Sequence, residues 1–158
     1  MNPTPVFRRA RPEEAPVLSE IALASKQSWG YPDEWLAAWR PDLTLSANYI
    51  RQQPVWVVEI DGAVAGFLGL EYTEGQWHLE HLWLRPVFLR QGLGRMLFAE
   101  AVHLARAEGA TELQIRSDPN AELFYLKMGA VRTGLEVYQL LGKITREVPH
   151  LTYMIRLG

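Results

Sequence analysis

No cysteine occurs in the 158 residues. That absence excludes disulfides, thiolate metal sites and cysteine nucleophiles together. Charge of one sign is missing too: 16 Lys and Arg stand against 18 Asp and Glu, a net charge of -2, so no global basic field argues for nucleic acid. No apolar run approaches the ~18 residues of a membrane span. The opening stretch MNPTPVFRRARPEEA has no long apolar segment, so no secretory leader is expected. Repeats, low-complexity tracts and linkers are also lacking. The expectation is a cytoplasmic protein of one domain, residues 1–158, with no nucleic-acid or membrane partner.

What is present supports a real core, with 48% hydrophobic and 22% charged residues. VFRRA suits a first strand. PEEAPVLSEIALASKQ has near-helical apolar spacing, with Pro12 and two glutamates at its start. WGYPDEWLAAWRPD and LSANYIRQQ read as helix-and-loop segments. VWVVEI and AVAGFLGLEY flank Asp61-Gly62, a strong hairpin signal. A TEG turn leads to a strand over Trp77–Leu84, which Pro86 ends. A helix from Gly94 carries Leu97, Phe98, Ala101, Leu104 and Ala105 on one stripe, and Gly109 stops it. TELQIRS is a strand. DPNAELFYLKMG is a short helix with Asp118 as N-cap, and AVRTG and VPHLTYMIRL are final strands. This order predicts an α/β fold with a mixed sheet.

Gly92 and Gly94 lie where a strand gives way to a helix. They do not complete a dinucleotide fingerprint, since position 97 is Leu97, and no Gly-Lys-Ser/Thr follows to make a phosphate-binding P-loop. A tight turn before a helix N-terminus, with Arg85, Arg90 and Arg95 near, still suits a di-anion such as a pyrophosphate. The alternative is a plain loop with solvated arginines.

The stretch HLEHLWLRPVFLRQGLGRMLFAEAVHLARAEGATELQIRSDPNAELFYLKMGAV resembles the acetyl-CoA-binding half of the GNAT acetyltransferase superfamily. The family's Q/R-x-x-G-x-G/A motif matches at Gly92 and Gly94, with Leu89 where Arg or Gln is usual. Asn120, Ala121, Phe124-Tyr125 and Gly129 match a second motif, and REVPHLTYMIRL is a family-like ending. The resemblance implies a single GNAT-like domain: a mixed, mostly antiparallel sheet with a splayed parallel strand pair, and helices on both faces. It implies acetyl-CoA as co-substrate, its pantetheine along the main chain of Leu82, Trp83 and Leu84. Its diphosphate would lie in the turn of Leu89, Arg90, Gln91, Gly92, Leu93, Gly94 and Arg95. Asn120 would touch the pantetheine, and the Tyr125 hydroxyl would face the CoA sulfur.

Strand alternation puts His78, Glu80, Leu82 and Leu84 on one face, and Trp77, Leu79, His81 and Trp83 on the other. A carboxylate among apolar neighbours is either paired or raised in pKa, and a raised one can serve as general base on an amine. Glu80 is therefore read as that base, against a purely structural role. His78 shares its face and would assist or bind substrate. With His78 and His81 on opposite faces, no metal site is expected. His150 is read as structural or at a pocket rim.

Trp29, Tyr31, Trp35 and Trp39 form an aromatic segment with Asp33, Glu34 and Asp42 beside it. It suits an ammonium-binding substrate wall, and equally packing on the sheet or a homodimer contact. The expected function is N-acetyl transfer from acetyl-CoA to a primary amine of a small molecule or peptide. The rivals are a non-catalytic acyl-CoA sensor or scaffold of the same fold and a nucleotide-binding module of another.

Overall fold

Two-residue left-handed turns organise the first half of the sheet. Asp61 (φ 54°) and Gly62 (φ 79°) join β2 (Val55–Ile60) to β3 (Ala63–Thr73). Glu74 (φ 53°) and Gly75 (φ 78°) join β3 to β4 (Gln76–Leu84). Positive φ at both central residues matches the right-handed twist of the flanking strands. The structure is a computed structural model and describes residues 4–156. With β1 (Val6–Arg9), β5 (Glu112–Arg116), β6 (Val131–Leu140) and β7 (Ile144–Met154), these strands form one seven-stranded sheet ordered β1-β2-β3-β4-β5-β7-β6. Among the described residues only β4 and β5 are parallel, as their helical crossover requires.

The sheet is covered on both faces. On one, α4 (Leu93–Ala107) and α5 (Glu122–Met128) bury Leu97, Phe98, Ala101 and Tyr125 against Leu79, Leu84, Leu113 and Leu151. On the other, α1 (Ala15–Gln27), α2 (Asp33–Leu43) and α3 (Ala47–Gln52) bury Leu18, Ile21, Trp39 and Ile50 against Val55, Val57 and Phe67.

The structure departs from the sequence reading at four points. Strict alternation along β4 fails: Gly69 pairs with His81 and Leu70 with Leu79, so Glu80 is the extra residue of a β-bulge. Parity changes there, and Trp77, Leu79, Leu82 and Leu84 all serve the α4 face. Asp118 does not cap α5. Its carboxylate accepts the Asn120 N–H at 2.8 Å and its carbonyl the Ala121 N–H at 2.9 Å, a turn that places Ala121 at the N-cap. The α4 helix begins at Leu93, after a left-handed Gly92. The last strands are longer than expected and meet in a hairpin through Leu141 (φ 55°) and Gly142 (φ 70°).

Gly66 marks where β3 approaches β4 most closely. A Cβ there would lie 2.5 Å from the Leu84 side chain and 2.5 Å from the Trp83 carbonyl oxygen. The Gly66→Ala variant is expected to lose about 2–3 kcal/mol in urea unfolding, because backbone must shift. A Cβ at Gly134 would meet only the His150 Cβ at 3.6 Å, so Gly134→Ala should change stability by less than about 1 kcal/mol in the same assay.

Candidate active site

β4 and β5 pair only at Trp77–Leu113, His78–Gln114 and Leu79–Ile115. Past Ile115, β5 stays with β7: Arg116 pairs with His150, and the Ser117 N–H donates to the Pro149 carbonyl at 2.9 Å. β4 continues to Leu84 with β3 as its only partner. The Arg85 N–H bonds the Ala65 carbonyl at 2.8 Å, which sets the alternation of the ladder: Trp83 and His81 bond β3, while the main chain of Leu82 and Leu84 faces the gap.

The turn after β4 curls twice through left-handed φ, at Arg90 (62°) and Gly92 (82°). Such a curl gathers consecutive N–H groups into a concave anion site. The first bond of α4 runs from the Met96 N–H to the Gly92 carbonyl at 3.3 Å, leaving the N–H groups of Gly92 to Arg95 without helical partners. Arg90 and Arg95 are exposed. Arg85 does not join them: its Nε donates to the Val64 carbonyl at 2.8 Å, and it faces Glu20 at 3.8 Å. Gln91 is used within the turn, donating to the Val87 carbonyl at 2.9 Å. Leu89 packs against the α4-side core, so its side chain anchors the turn from inside. Gly94 lies under Phe124, whose ring would sit 3.4 Å from a Cβ there.

Glu80 opens the gap. The bulge puts it near His78, Glu71 and Arg116, not among Leu82 and Leu84 as strict alternation predicts. The residue remains open to solvent. Its carboxyl pKa is nonetheless raised, first by desolvation and then by the charge of Glu71; His78 and Arg116 oppose the rise. Glu71 accepts the Tyr49 hydroxyl at 2.7 Å. His78 and His81 now share a face, a correction of the expected opposition, although no acid–histidine group able to hold a metal is found among the described residues.

Tyr125 is 8% exposed, with Phe98 and Phe124 ring centroids 6.0 and 5.2 Å away. Burial and then the charge of Asp118 push its phenol pKa up.

Across the gap, the aromatic segment is built around cations of this chain. Tyr31 and Trp39 ring centroids are 4.7 Å apart, and Trp35 and Trp39 6.0 Å. Lys26 Nζ lies 4.4 Å from the Trp39 ring, and the Arg146 guanidinium 5.1–5.5 Å from Tyr31, Trp35 and Trp39. The expected wall for a substrate ammonium is thus already filled, while Asp33, Glu34 and Asp42 are exposed. Trp29 stands 41% exposed after α1. Lys26 pairs with Asp118 at 2.5 Å. Burial opposes ionisation of Asp118, but Lys26, the Asn120 N–H and the Tyr31 hydroxyl together hold its pKa below the usual range. Asn120 turns its side chain to the Tyr31 hydroxyl, donating at 2.9 Å.

The description "Acetyltransferase (GNAT) family" matches residues 18–130. A peptidyl-lysine N-acetyltransferase of Salmonella typhimurium, YjaB, is 33% identical over 139 residues, 87% of this chain and 90% of that protein. The chain belongs to the GNAT acetyltransferase family. Among solved structures, a GCN5-related N-acetyltransferase from Rhodopseudomonas palustris matches with TM-score 0.82 and 25% identity over 98% of both chains. The PaiA N-acetyltransferase of Thermoplasma acidophilum, in complex with coenzyme A, matches with TM-score 0.73 and 20% identity over 96% of this chain and 99% of that one.

For this acetyltransferase, the expected residues fall into two groups across the gap. Glu80, His78, Leu82, Leu84, the 89–95 turn and Tyr125 border the β4 side and α4–α5; Tyr31, Trp35 and Asn120 belong to the opposite wall, and the structure does not bring Trp29 to either. Trp83 spends its main chain on β3 and its indole N–H on His81 Nδ1, 3.1 Å away. Lys26, Tyr49, Glu71 and Arg146 were not singled out from the sequence. The alternation of residues 144–154 was the available signal for Arg146, and its partners come from α1 and α2.

Because His81 Nδ1 accepts that N–H, its ring is neutral, and burial lowers its pKa to about 4. The unfolded chain then binds a proton below about pH 6.5 that the folded chain refuses until about pH 4. Stability is complete above pH 6.5 and falls as pH drops, by about 2 kcal/mol at pH 5 from this group. Urea midpoints measured from pH 7 to 5 should show this loss, and His81→Gln should flatten that part of the slope.

Proposed function

We propose that this acetyltransferase moves the acetyl group of acetyl-CoA directly to a primary amine of a small molecule or peptide. One observation carries the reading: the carboxylate with the raised pKa, Glu80, sits where β4 parts from β5, at the start of the free main-chain edge that leads to the curled glycine turn. The named relatives support the same direction, one acting on peptidyl lysine and one holding coenzyme A.

The residues fit acetyl-CoA at both ends. The N–H groups of Gly92 to Arg95, with Arg90 and Arg95, suit the diphosphate. The main chain of Leu82 and Leu84 offers an added-strand pairing for the pantetheine amides. Acetyl-CoA supplies an activated thioester. Glu80, directly or through a water, takes a proton from the arriving ammonium, so that the amine nitrogen can form its bond to the acetyl carbon as the carbon–sulfur bond breaks. The Tyr125 hydroxyl is available to give its hydrogen bond and proton to the departing thiolate, and the second proton of the attacking nitrogen, shed as the amide forms, returns to Tyr125. No cysteine exists to carry the acetyl group, in keeping with direct attack.

Calorimetry with acetyl-CoA should show binding to the wild type, weakened about 10-fold or more in Gly92→Val. A Cβ at position 92 meets no protein atom within 4 Å, so the loss would come from the left-handed φ and the covered N–H groups. Absence of acetyl-CoA binding by the wild type would overturn the reading.

In a CoA-release assay with a panel of amines, Glu80→Gln should lose roughly 10²–10⁴-fold in kcat with little change in acetyl-CoA affinity. Wild-type kcat/KM should fall as pH drops through a pKa above the ordinary carboxylate range, because the base must be ionised, and Glu80→Gln should lose that limb. Tyr125→Phe should lower kcat about 10-fold. Binding without release for every amine would favour the sensor reading.

A further inference from the structure

The charges along the α1–α2 face do not balance. Lys26 is neutralised by Asp118. The Tyr31 hydroxyl is saturated: it donates to Asp118 at 2.9 Å and accepts from Asn120 Nδ2 at 2.9 Å and from an Arg146 Nη at 3.0 Å. Arg146 forms no ion pair with any carboxylate among the described residues. Of its five N–H donors, the bond to Tyr31 is the only one made among the described residues, and its Nε is buried without a partner there. Three aromatic rings hold the guanidinium plane, so it is preorganised and partly desolvated, with a free edge. A fork of that kind matches a carboxylate. His150, on the same face of β7, also has a buried Nε2 with no partner.

The opposite end of this face is acidic, with Glu80 and Glu71. Leu79 pairs with Ile115, and Arg116 with His150. Glu80 and Arg146 are therefore about 10 Å apart across the strands and about 13 Å apart along β7 by strand spacing and rise. A ligand spanning both ends would carry its amine and its anion well apart.

We infer that Arg146 is a specificity-determining residue that receives a carboxylate of the acceptor, remote from the amine that is acetylated. The inference rests on the acetyl-transfer reading and narrows it to ω-amino carboxylates. The carboxylate can be the free main-chain carboxylate of a lysine-like amino acid or an acidic side chain beside a lysine in a peptide.

The experiment compares kcat/KM for Nα-acetyl-lysine, Nα-acetyl-lysinamide and the dipeptide amide acetyl-Lys-Glu-NH₂. The wild type should prefer at least one carboxylated acceptor over the lysinamide by about 10–100-fold, the range of a buried charge-assisted fork. Whichever gains names the source. In Arg146→Gln the preference should collapse to near one. Arg146→Lys keeps a point charge without the fork and should retain a part of it; this variant also serves if Arg146→Gln does not fold, which a circular-dichroism melt reports. Binding is read separately with glutarate, a dicarboxylate without an amine, which should raise the melting temperature of the wild type and not of Arg146→Gln. Acetylation of all three acceptors with equal kcat/KM, or a preference that survives Arg146→Gln, overturns the inference and leaves the acetyl-transfer reading standing. Glutarate stabilisation that requires Arg146, with no CoA release from any acceptor, supports the anion site and overturns the acetyl-transfer reading.

Discussion

β5 cannot hold two neighbours along its whole length. It gives β7 its full run and β4 only Leu113 to Ile115, and most of the site follows from that division. Beyond the last shared pair, one edge of β4 has lost its partner. Main-chain donors and acceptors there must find water or a ligand, since leaving them buried and unpaired is costly. The crossover from β4 to β5 must start at the end of this freed edge, which sets the glycine turn and the N-terminus of α4 at the mouth of the gap. The α5 helix, launched from the other strand, brings Phe124 and Tyr125 to the same opening.

The two walls of the gap have different physical characters. On the β4 side, main-chain groups lack a strand partner and a carboxylate is pushed toward neutrality by its surroundings. On the α1–α2 side nearly every polar atom around Tyr31 is satisfied, and rings clamp the cations. The first wall is arranged for atoms that move during a reaction. The second is a rigid frame, in which the guanidinium of Arg146 and the ring Nε2 of His150 have capacity to spare.

Local signals read well from the sequence. Asp61-Gly62 demanded its hairpin, the spacing from Leu97 to Ala105 demanded α4, and Gly129 stops α5 in the left-handed conformation as expected, at φ 108°. Element order sufficed for the mixed sheet. What failed was whatever depends on distant partners. Asp118 looked like a helix cap because Asp before Pro often is one, yet Lys26 and Tyr31, about ninety residues earlier, claim its carboxylate. Arg85 looked like a phosphate ligand by proximity in the chain, but a carbonyl of β3 takes its Nε. The tryptophans suited a ligand wall and internal packing equally, because nothing in their own segment reveals that Lys26 and Arg146 come to rest on them. Strand alternation misled along β4, where one extra position shifts the parity of the residues before it against those after it.

That extra position carries a meaning of its own. Removing Glu80 from QWHLEHLWL leaves Trp, Leu, Leu, Leu on one side and Gln, His, His, Trp on the other, an unbroken two-faced strand. The sheet packs its apolar residues as if residue 80 were not there. A carboxylate has in effect been spliced into a finished strand, at the level where the neighbouring strand departs. The fold tolerates the insertion because the bulge absorbs it within one residue, and the scaffold on either side keeps its register. Reactive chemistry and architecture are thereby assigned to different residues of the same strand, so the first can change with little cost to the second.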